Sequence, residues 1–170
     1  MALNNKKLFL SLLCILFLCF NAYTQLSRDS VEFWVKEIKG EYEKVNQDTA
    51  KFKIVESDVF GQSAEGGFVK KYYDGIQLRK AVLTLYGETG QSTSEYYLRN
   101  NMIIFVLQKH LKYATPIYIG NTEIKSREED RYYFYTEHLI RWIDNTGKAI
   151  NLTLYPEKEE EIVDGFKIIK

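Results

Sequence analysis

Between residues 52 and 155 the chain alternates short apolar segments with turn residues, and this alternation most constrains the fold. Within these segments apolar residues tend to recur at every second position, the period of a half-buried β-strand. Turn-forming residues separate them at Asp74-Gly75, at 87–90 and at Asn100-Asn101. Separations this short favour antiparallel hairpins. The sequence therefore predicts an antiparallel β-meander of about seven or eight strands.

The turn residues also set the expected strand boundaries and pairings. The predicted strands are 52–59, 68–73, 76–86, 93–99, 102–111, 131–136, 139–144 and 149–155. A two-residue turn at Asn100-Asn101 would place Tyr96 opposite Phe105. A similar turn at Glu137-His138, which is weaker turn chemistry, would place Tyr133 opposite Trp142.

A helix at each end of the domain completes the predicted fold. From Ser27 onward apolar residues recur with helical spacing as far as Val45, and Ser27 is a suitable N-cap. Pro156 suits the first turn of a second helix, whose early glutamates and late lysines complement the helix dipole. The predicted fold class is therefore α+β: an N-terminal helix, the meander and a C-terminal helix. Because each helix has one apolar stripe, we expect Trp34 and Phe166 to be buried on the same side of the sheet.

The first 24 residues have the pattern of a signal peptide. Lys6 and Lys7 precede an apolar run at 8–20, which is shorter than the roughly 20 residues that a membrane helix needs. Small residues at Ala22 and Thr24 favour cleavage before Gln25; a signal anchor is the alternative. We therefore expect one domain at 25–170, periplasmic or secreted, with no membrane span after cleavage.

Charge and residue usage exclude several classes of function. The 23 basic residues equal the 23 acidic residues, and no basic block suggests nucleic-acid binding. Cys14 and Cys19 both lie in the apolar run, so the mature domain lacks a thiol nucleophile, a disulfide and Cys-ligated metal. His110 and His138 lack the spacing of a metal or acid–base motif. We expect no catalytic, cofactor-binding or metal-binding residues and, on balance, no enzyme.

One region carries a family resemblance. The segment 66–106 contains the motifs YGETG and EYY, and the segment 131–144 reads RYYFYTEHLIRWID. Together they resemble a family of exported proteins from Bacteroidota, over roughly residues 65–145. The resemblance implies export, and it brings no activity and no functional residue.

Adjacent tyrosine pairs recur in three of the predicted strands, at 72–73, 96–97 and 132–133. Their simplest explanation is cross-strand packing of aromatic rings. A partly exposed aromatic surface is the sharper alternative, because such rings give large contact area at low entropic cost.

The functional hypothesis follows from that alternative. We expect a non-enzymatic binding module of the bacterial envelope, whose ligand is an envelope protein, a glycan or a lipid. The residues predicted to contact it are Tyr97, Tyr133, Tyr135 and Trp142. Two other hypotheses remain open: a carrier that holds lipid or another hydrophobic ligand in a cavity between sheet and helices, and a structural protein whose aromatic residues all pack on one another.

Overall fold

A computed structural model describes residues 26–120 and 123–169, in which one antiparallel sheet carries a helix on each face. The predicted signal peptide, residues 1–24, lies outside the described residues. The helices and strands, in chain order, are α1 (Arg28–Gln47), β1 (Lys53–Val59), β2 (Gly67–Asp74), β3 (Gln77–Gly87), β4 (Gly90–Arg99), β5 (Met102–Tyr113), β6 (Ile124–Tyr135), β7 (His138–Ile143) and α2 (Tyr155–Lys167). The predicted α+β class is confirmed.

The seven strands lie side by side in chain order, so the predicted meander is also confirmed. The turn between β4 and β5 is the one predicted: Asn100 and Asn101 have φ of 53° and 63°, as a type I′ turn requires. Two other turns differ by one residue. Asp74 pairs with Gln77, so Gly75 and Ile76 form the β2–β3 turn. The β6–β7 turn consists of Thr136 and Glu137, both with positive φ, rather than Glu137-His138.

Bulges and the shifted turn change the aromatic pairings. A register shift between Tyr97 and Leu98 places Tyr97, not Tyr96, opposite Phe105. In the last hairpin Tyr132, not Tyr133, lies opposite Trp142. Because side chains alternate between faces along a strand, the one-residue register shifts at Tyr97/Leu98 and at Tyr133/Phe134 each move an aromatic ring to the other side of the sheet. The displaced β6–β7 turn alone would change the pairing by two residues and keep the face.

Helix α1 packs on one face of the sheet. The hydroxyl of Ser27 accepts a hydrogen bond from the backbone N–H of Ser30, at 3.2 Å, and thus caps the helix as predicted. The buried side chains of the helix, which contact Tyr97 and Phe105 among others, are Val35, Ile38 and Val45.

Helix α2 packs on the opposite face. The ring of Phe166 lies 5.2 Å from that of Tyr96, whereas Tyr42 of α1 lies 4.9 Å from Tyr97. Since Tyr96 and Tyr97 are neighbours in β4, these contacts lie on opposite faces. The expectation that Trp34 and Phe166 share a side is therefore wrong. Tyrosine pairs make both faces of the central strands apolar, and each face takes one helix.

The predicted eighth strand, 149–155, does not form. Only Ala149 makes a bridge, with Ile143, and residues Leu152–Leu154 form a short 3₁₀ turn. The side chain of Asn151 accepts a hydrogen bond from the N–H of Thr153, which favours a turn over a strand. The segment 148–150 nevertheless lies along the outer edge of β7, where the N–H of Ile150 donates to the carbonyl of Trp142 at 3.0 Å.

Candidate functional site

Two of the four predicted contact residues lie beneath α1. Tyr97 is 0% exposed and Tyr133 is 2% exposed. Phe105 lies between them, with ring centroids 5.7 Å from Tyr97 and 5.0 Å from Tyr133. These two tyrosines therefore serve as core residues under the helix, and a ligand reaches them only if α1 moves away.

Tyr135 and Trp142 lie apart from that pair and from each other. Tyr135 is half-buried and stacks on Trp34 of α1, with ring centroids 4.2 Å apart. Trp142 points to the α2 face, where it packs 5.4 Å from Tyr132, and Lys158 lies 5.4 Å from its ring. The structure does not bring the four residues into one surface, because a register shift between Tyr133 and Phe134 places Trp142 opposite Tyr132, on the other face.

A partly buried charge network links the C-terminal end of α1 to the sheet beside Tyr97. The carboxylate of Glu95 lies 2.7 Å from Lys80 and 2.6 Å from Lys109, and it accepts a hydrogen bond of 2.8 Å from the Tyr97 hydroxyl. Lys80 also donates to the side-chain oxygen of Asn46, in the last turn of α1. The network ties the C-terminal end of the helix to β3, β4 and β5.

The network shifts two pKa values. Burial alone would raise the pKa of Glu95, but hydrogen bonds from Lys109 and Lys80 outweigh it and lower the pKa to about 2. Burial and the neighbouring Glu95 carboxylate raise the pKa of Tyr97. Glu95 is therefore ionised and Tyr97 protonated at neutral pH, and each group is held by its partners in the network.

Helix α1 crosses the strands from Arg141 in β7 to Lys80 in β3. Beside it, toward the β3–β4 turn, the same face of the sheet continues. Directly opposed residues form two rows there, one across strands β2 to β6 and one across strands β3 to β6. We call this surface the open face; its residues are Phe68, Thr84, Thr93, Lys109 and Glu129 in the first row, and Tyr86, Gln91, Leu111 and Arg127 in the second. All but the buried Thr84 are half-buried or exposed.

The open face combines aromatic rings with hydrogen-bonding groups. The rings of Phe68 and Tyr86 lie 6.2 Å apart. Beside them the side-chain amide of Gln91 donates to the hydroxyl of Thr93 at 3.2 Å, and the hydroxyls of Thr84 and Thr93 are 3.5 Å apart. This combination can stack on an apolar surface and also exchange hydrogen bonds with a polar ligand.

Three connections meet at the end of the sheet next to the open face: the β1–β2 loop, the β3–β4 turn and the β5–β6 loop. Backbone hydrogen bonds join them, from Tyr86 to Gly66 at 2.9 Å and from Ile117 to Glu88 at 2.8 Å. The loops also present exposed rings, with Phe60 81% and Tyr118 73% exposed. Loops that a rigid sheet positions are common sites of binding.

Sequence reasoning missed the open face, although a signal for it was present. Thr84 and Tyr86 are two residues apart in β3, and Gln91 and Thr93 are two residues apart in β4. Each pair therefore lies on one face of its strand and makes that face polar or aromatic. The predicted contact residues were chosen from the tyrosine pairs and their neighbours, which lie in the other half of the strands. That half is more apolar, and for this reason α1 covers it.

No family model, curated protein or solved structure matches the chain. Within residues 26–120 and 123–169, no group of three or more His, Cys, Asp or Glu side chains is placed to hold a metal ion. In the same part of the chain, no helix combines the length and the apolar character needed to cross a bilayer.

Proposed function

We propose that the chain is an exported, non-enzymatic binding module and that its ligand docks on the open face and the adjoining loops. The observation that carries this proposal is the uncovered half of the α1 side of the sheet, where Phe68 and Tyr86 stand beside Thr93 and Gln91. Aromatic residues that remain accessible beside fixed polar groups are typical of recognition surfaces.

The chemistry of the open face favours a ligand that has both apolar and hydrogen-bonding surfaces. A glycan or a polypeptide of the envelope has this character, since each offers apolar patches beside hydroxyl or amide groups. Lys109 and Glu129 lie opposite each other in the first row, so the face also offers both signs of charge. This pattern favours a neutral or mixed-charge ligand over a strongly anionic one.

The carrier hypothesis has less support. Under α1 the ring of Phe105 is in contact with Tyr42, Tyr97 and Tyr133. Under α2 the ring of Tyr96 is in contact with Phe166. Rings in contact with one another occupy space beneath each helix, where a carrier would need a cavity of several hundred Å³, roughly 300 or more.

The test compares three proteins in affinity capture from envelope extract and on an array of envelope glycans. The double variant Phe68→Ala, Tyr86→Ala should lose capture of the ligand. The control Ile76→Ala removes an equally apolar side chain, 96% exposed, from the opposite end of the sheet and should retain it. Circular dichroism confirms that both variants fold. Unchanged capture by the double variant would show that the open face is not the binding surface.

Export is part of the proposal and has its own test. The motivation is the pattern of Lys6-Lys7, the apolar run at 8–20 and the small residues before Gln25. Mass spectrometry of the protein from its native envelope should find a chain that begins at Gln25, which can cyclise to pyroglutamate. A full-length chain in the cytoplasm would contradict export.

A further inference from the structure

Among residues 26–120 and 123–169, no segment pairs with the outer edge of β1, the first strand of the sheet. β1 pairs with β2 in a continuous register, from Lys53 opposite Tyr73 to Val59 opposite Gly67, with no bulge. It is the outermost strand, and every residue from Lys53 to Asp58 is exposed. A regular edge strand of this kind offers a row of backbone N–H and C=O groups to an incoming strand.

The opposite edge of the sheet is protected. There the segment 148–150 lies along β7, with hydrogen bonds from Asp144 to Lys148 at 2.9 Å and from Ile150 to Trp142 at 3.0 Å. The bridge between Ile143 and Ala149 belongs to the same contact. The chain thus blocks β7 with its own backbone and leaves β1 exposed.

Charge divides β1 into an acidic and an apolar part. Glu56 and Asp58 point to the α1 side of the sheet, since Glu56 lies opposite Lys70, and Asp58 opposite Phe68 of the open face. Lys70 and Glu56 form an ion pair of 2.8 Å. Val55 and Ile54, both exposed, lie on either side of the strand toward its N-terminal end.

We propose that β1 accepts an added antiparallel strand from a partner polypeptide. The partner segment is extended and carries basic side chains opposite Glu56 and Asp58 and an apolar side chain opposite Val55. Main-chain hydrogen bonds supply the affinity, and the cross-strand pairs supply the selectivity. This inference concerns the sheet edge, so it does not depend on a ligand at the open face.

A second copy of this chain fits the edge less well. Two identical antiparallel strands are related by a two-fold axis that passes through one pair of equal residues. Centred on Glu56, the pair would place two carboxylates opposite each other, which is destabilising. Centred on Val55, it would place each Ile54 opposite a Glu56. In neither register does an acidic residue of β1 find a basic partner.

The test uses two synthetic heptapeptides, acetylated and amidated at their ends and labelled with a fluorophore. The first, VKTKVIE, supplies lysines opposite Asp58 and Glu56 when it pairs antiparallel to β1. The second, VETEVIK, has the charges exchanged. Fluorescence anisotropy with the full mature chain at low ionic strength should show the first peptide binding at least about tenfold more tightly.

Two controls make the result specific to a strand on this edge. The variant Glu56→Lys, Asp58→Lys should reverse the preference between the peptides, and circular dichroism checks its fold. A version of VKTKVIE that is N-methylated at alternate residues should not bind, because it cannot complete the ladder. Hydrogen exchange at β1 should slow when the unmodified peptide is added.

Three outcomes would overturn the proposal. Equal affinity for the two peptides would show that β1 does not select the charge of an added strand. No binding of either peptide at roughly 1 mM would show that β1 does not accept such a strand. Binding of the N-methylated peptide would indicate attraction without strand addition. A dimer in analytical ultracentrifugation that Glu56→Lys, Asp58→Lys changes would make a second copy the occupant of this edge.

Discussion

The charge network around Glu95 makes a prediction whose size follows from the structure. The pKa of Glu95 falls from 4.5, its ordinary value, to about 2, because hydrogen bonds from Lys109 and Lys80 outweigh the effect of burial. A folded-state pKa below the unfolded one stabilises the folded protein above pH 4.5, by about 3 kcal/mol for this difference. That stabilisation decreases as the pH falls from 4.5 toward 2.

The variant Glu95→Gln replaces the carboxylate with a neutral group of the same shape. At pH 7 it should unfold with a free energy about 3 kcal/mol below that of the natural chain. At pH 3 a large part of Glu95 is protonated in the natural chain as it unfolds, and the difference should shrink by about 2 kcal/mol. Urea unfolding followed by circular dichroism at about pH 7, 5 and 3 measures the difference in the free energy of unfolding at each pH.

The matched control is Glu43→Gln, which removes a carboxylate from an exposed position of α1. It should change the free energy of unfolding by less than about 0.5 kcal/mol at each pH. A Glu95→Gln penalty that is the same at pH 7 and pH 3 would refute the reasoning, because it would assign the effect to shape rather than to charge. A penalty below about 1 kcal/mol at pH 7 would refute the magnitude.

Two further predictions concern local geometry. A Cβ at Gly165 would lie 2.6 Å from the Tyr96 hydroxyl, so Gly165→Ala should destabilise the domain by about 1–3 kcal/mol, although alanine favours helix. In a Tyr96→Phe background the same substitution should instead stabilise the domain. Urea unfolding of the natural chain, the two single variants and the double variant measures the reversal. Thr136 and Glu137 have φ of 47° and 69°, so Thr136→Asn with Glu137→Gly should raise stability by about 1 kcal/mol in thermal unfolding. An unchanged or lower midpoint would mean that this turn carries no strain.

The fold class was predictable because three independent signals in the sequence agree with one another. The helical stripe after Ser27, the Asn100-Asn101 turn and the acidic start of α2 each dictate local structure through their own chemistry. Strand β6 was predicted only from residue 131, whereas it begins at Ile124. After Ile124 the segment 125–130 is polar on both faces, so it has no apolar period of two and becomes a strand by pairing with β5.

The candidate site was less predictable, because it depends on details that local propensity does not encode. Threonine and glutamate disfavour positive φ, so nothing in the sequence marks Thr136 and Glu137 as the turn. The register shift between Tyr133 and Phe134, which the sequence also does not mark, put Trp142 on the opposite face. The bulge after Tyr97 had the same effect on the pairing of that strand. Which half of the sheet α1 covers depends on long-range contacts, such as that between Glu32 and Arg141 at 2.6 Å.

Because the strands of the meander pair in chain order, the two helices differ in when their docking surfaces become available. Each strand pairs with the segment that was synthesised just before it, so the sheet can grow one hairpin at a time with short loop closures. Helix α1 is made first, yet it packs on β5, β6 and β7, which are the last strands to be made. Its apolar stripe therefore has no complete docking surface until the chain as far as Ile143 is free to fold. A chain interrupted before that residue would present this stripe to other proteins, and so it would be prone to aggregation or to capture by chaperones.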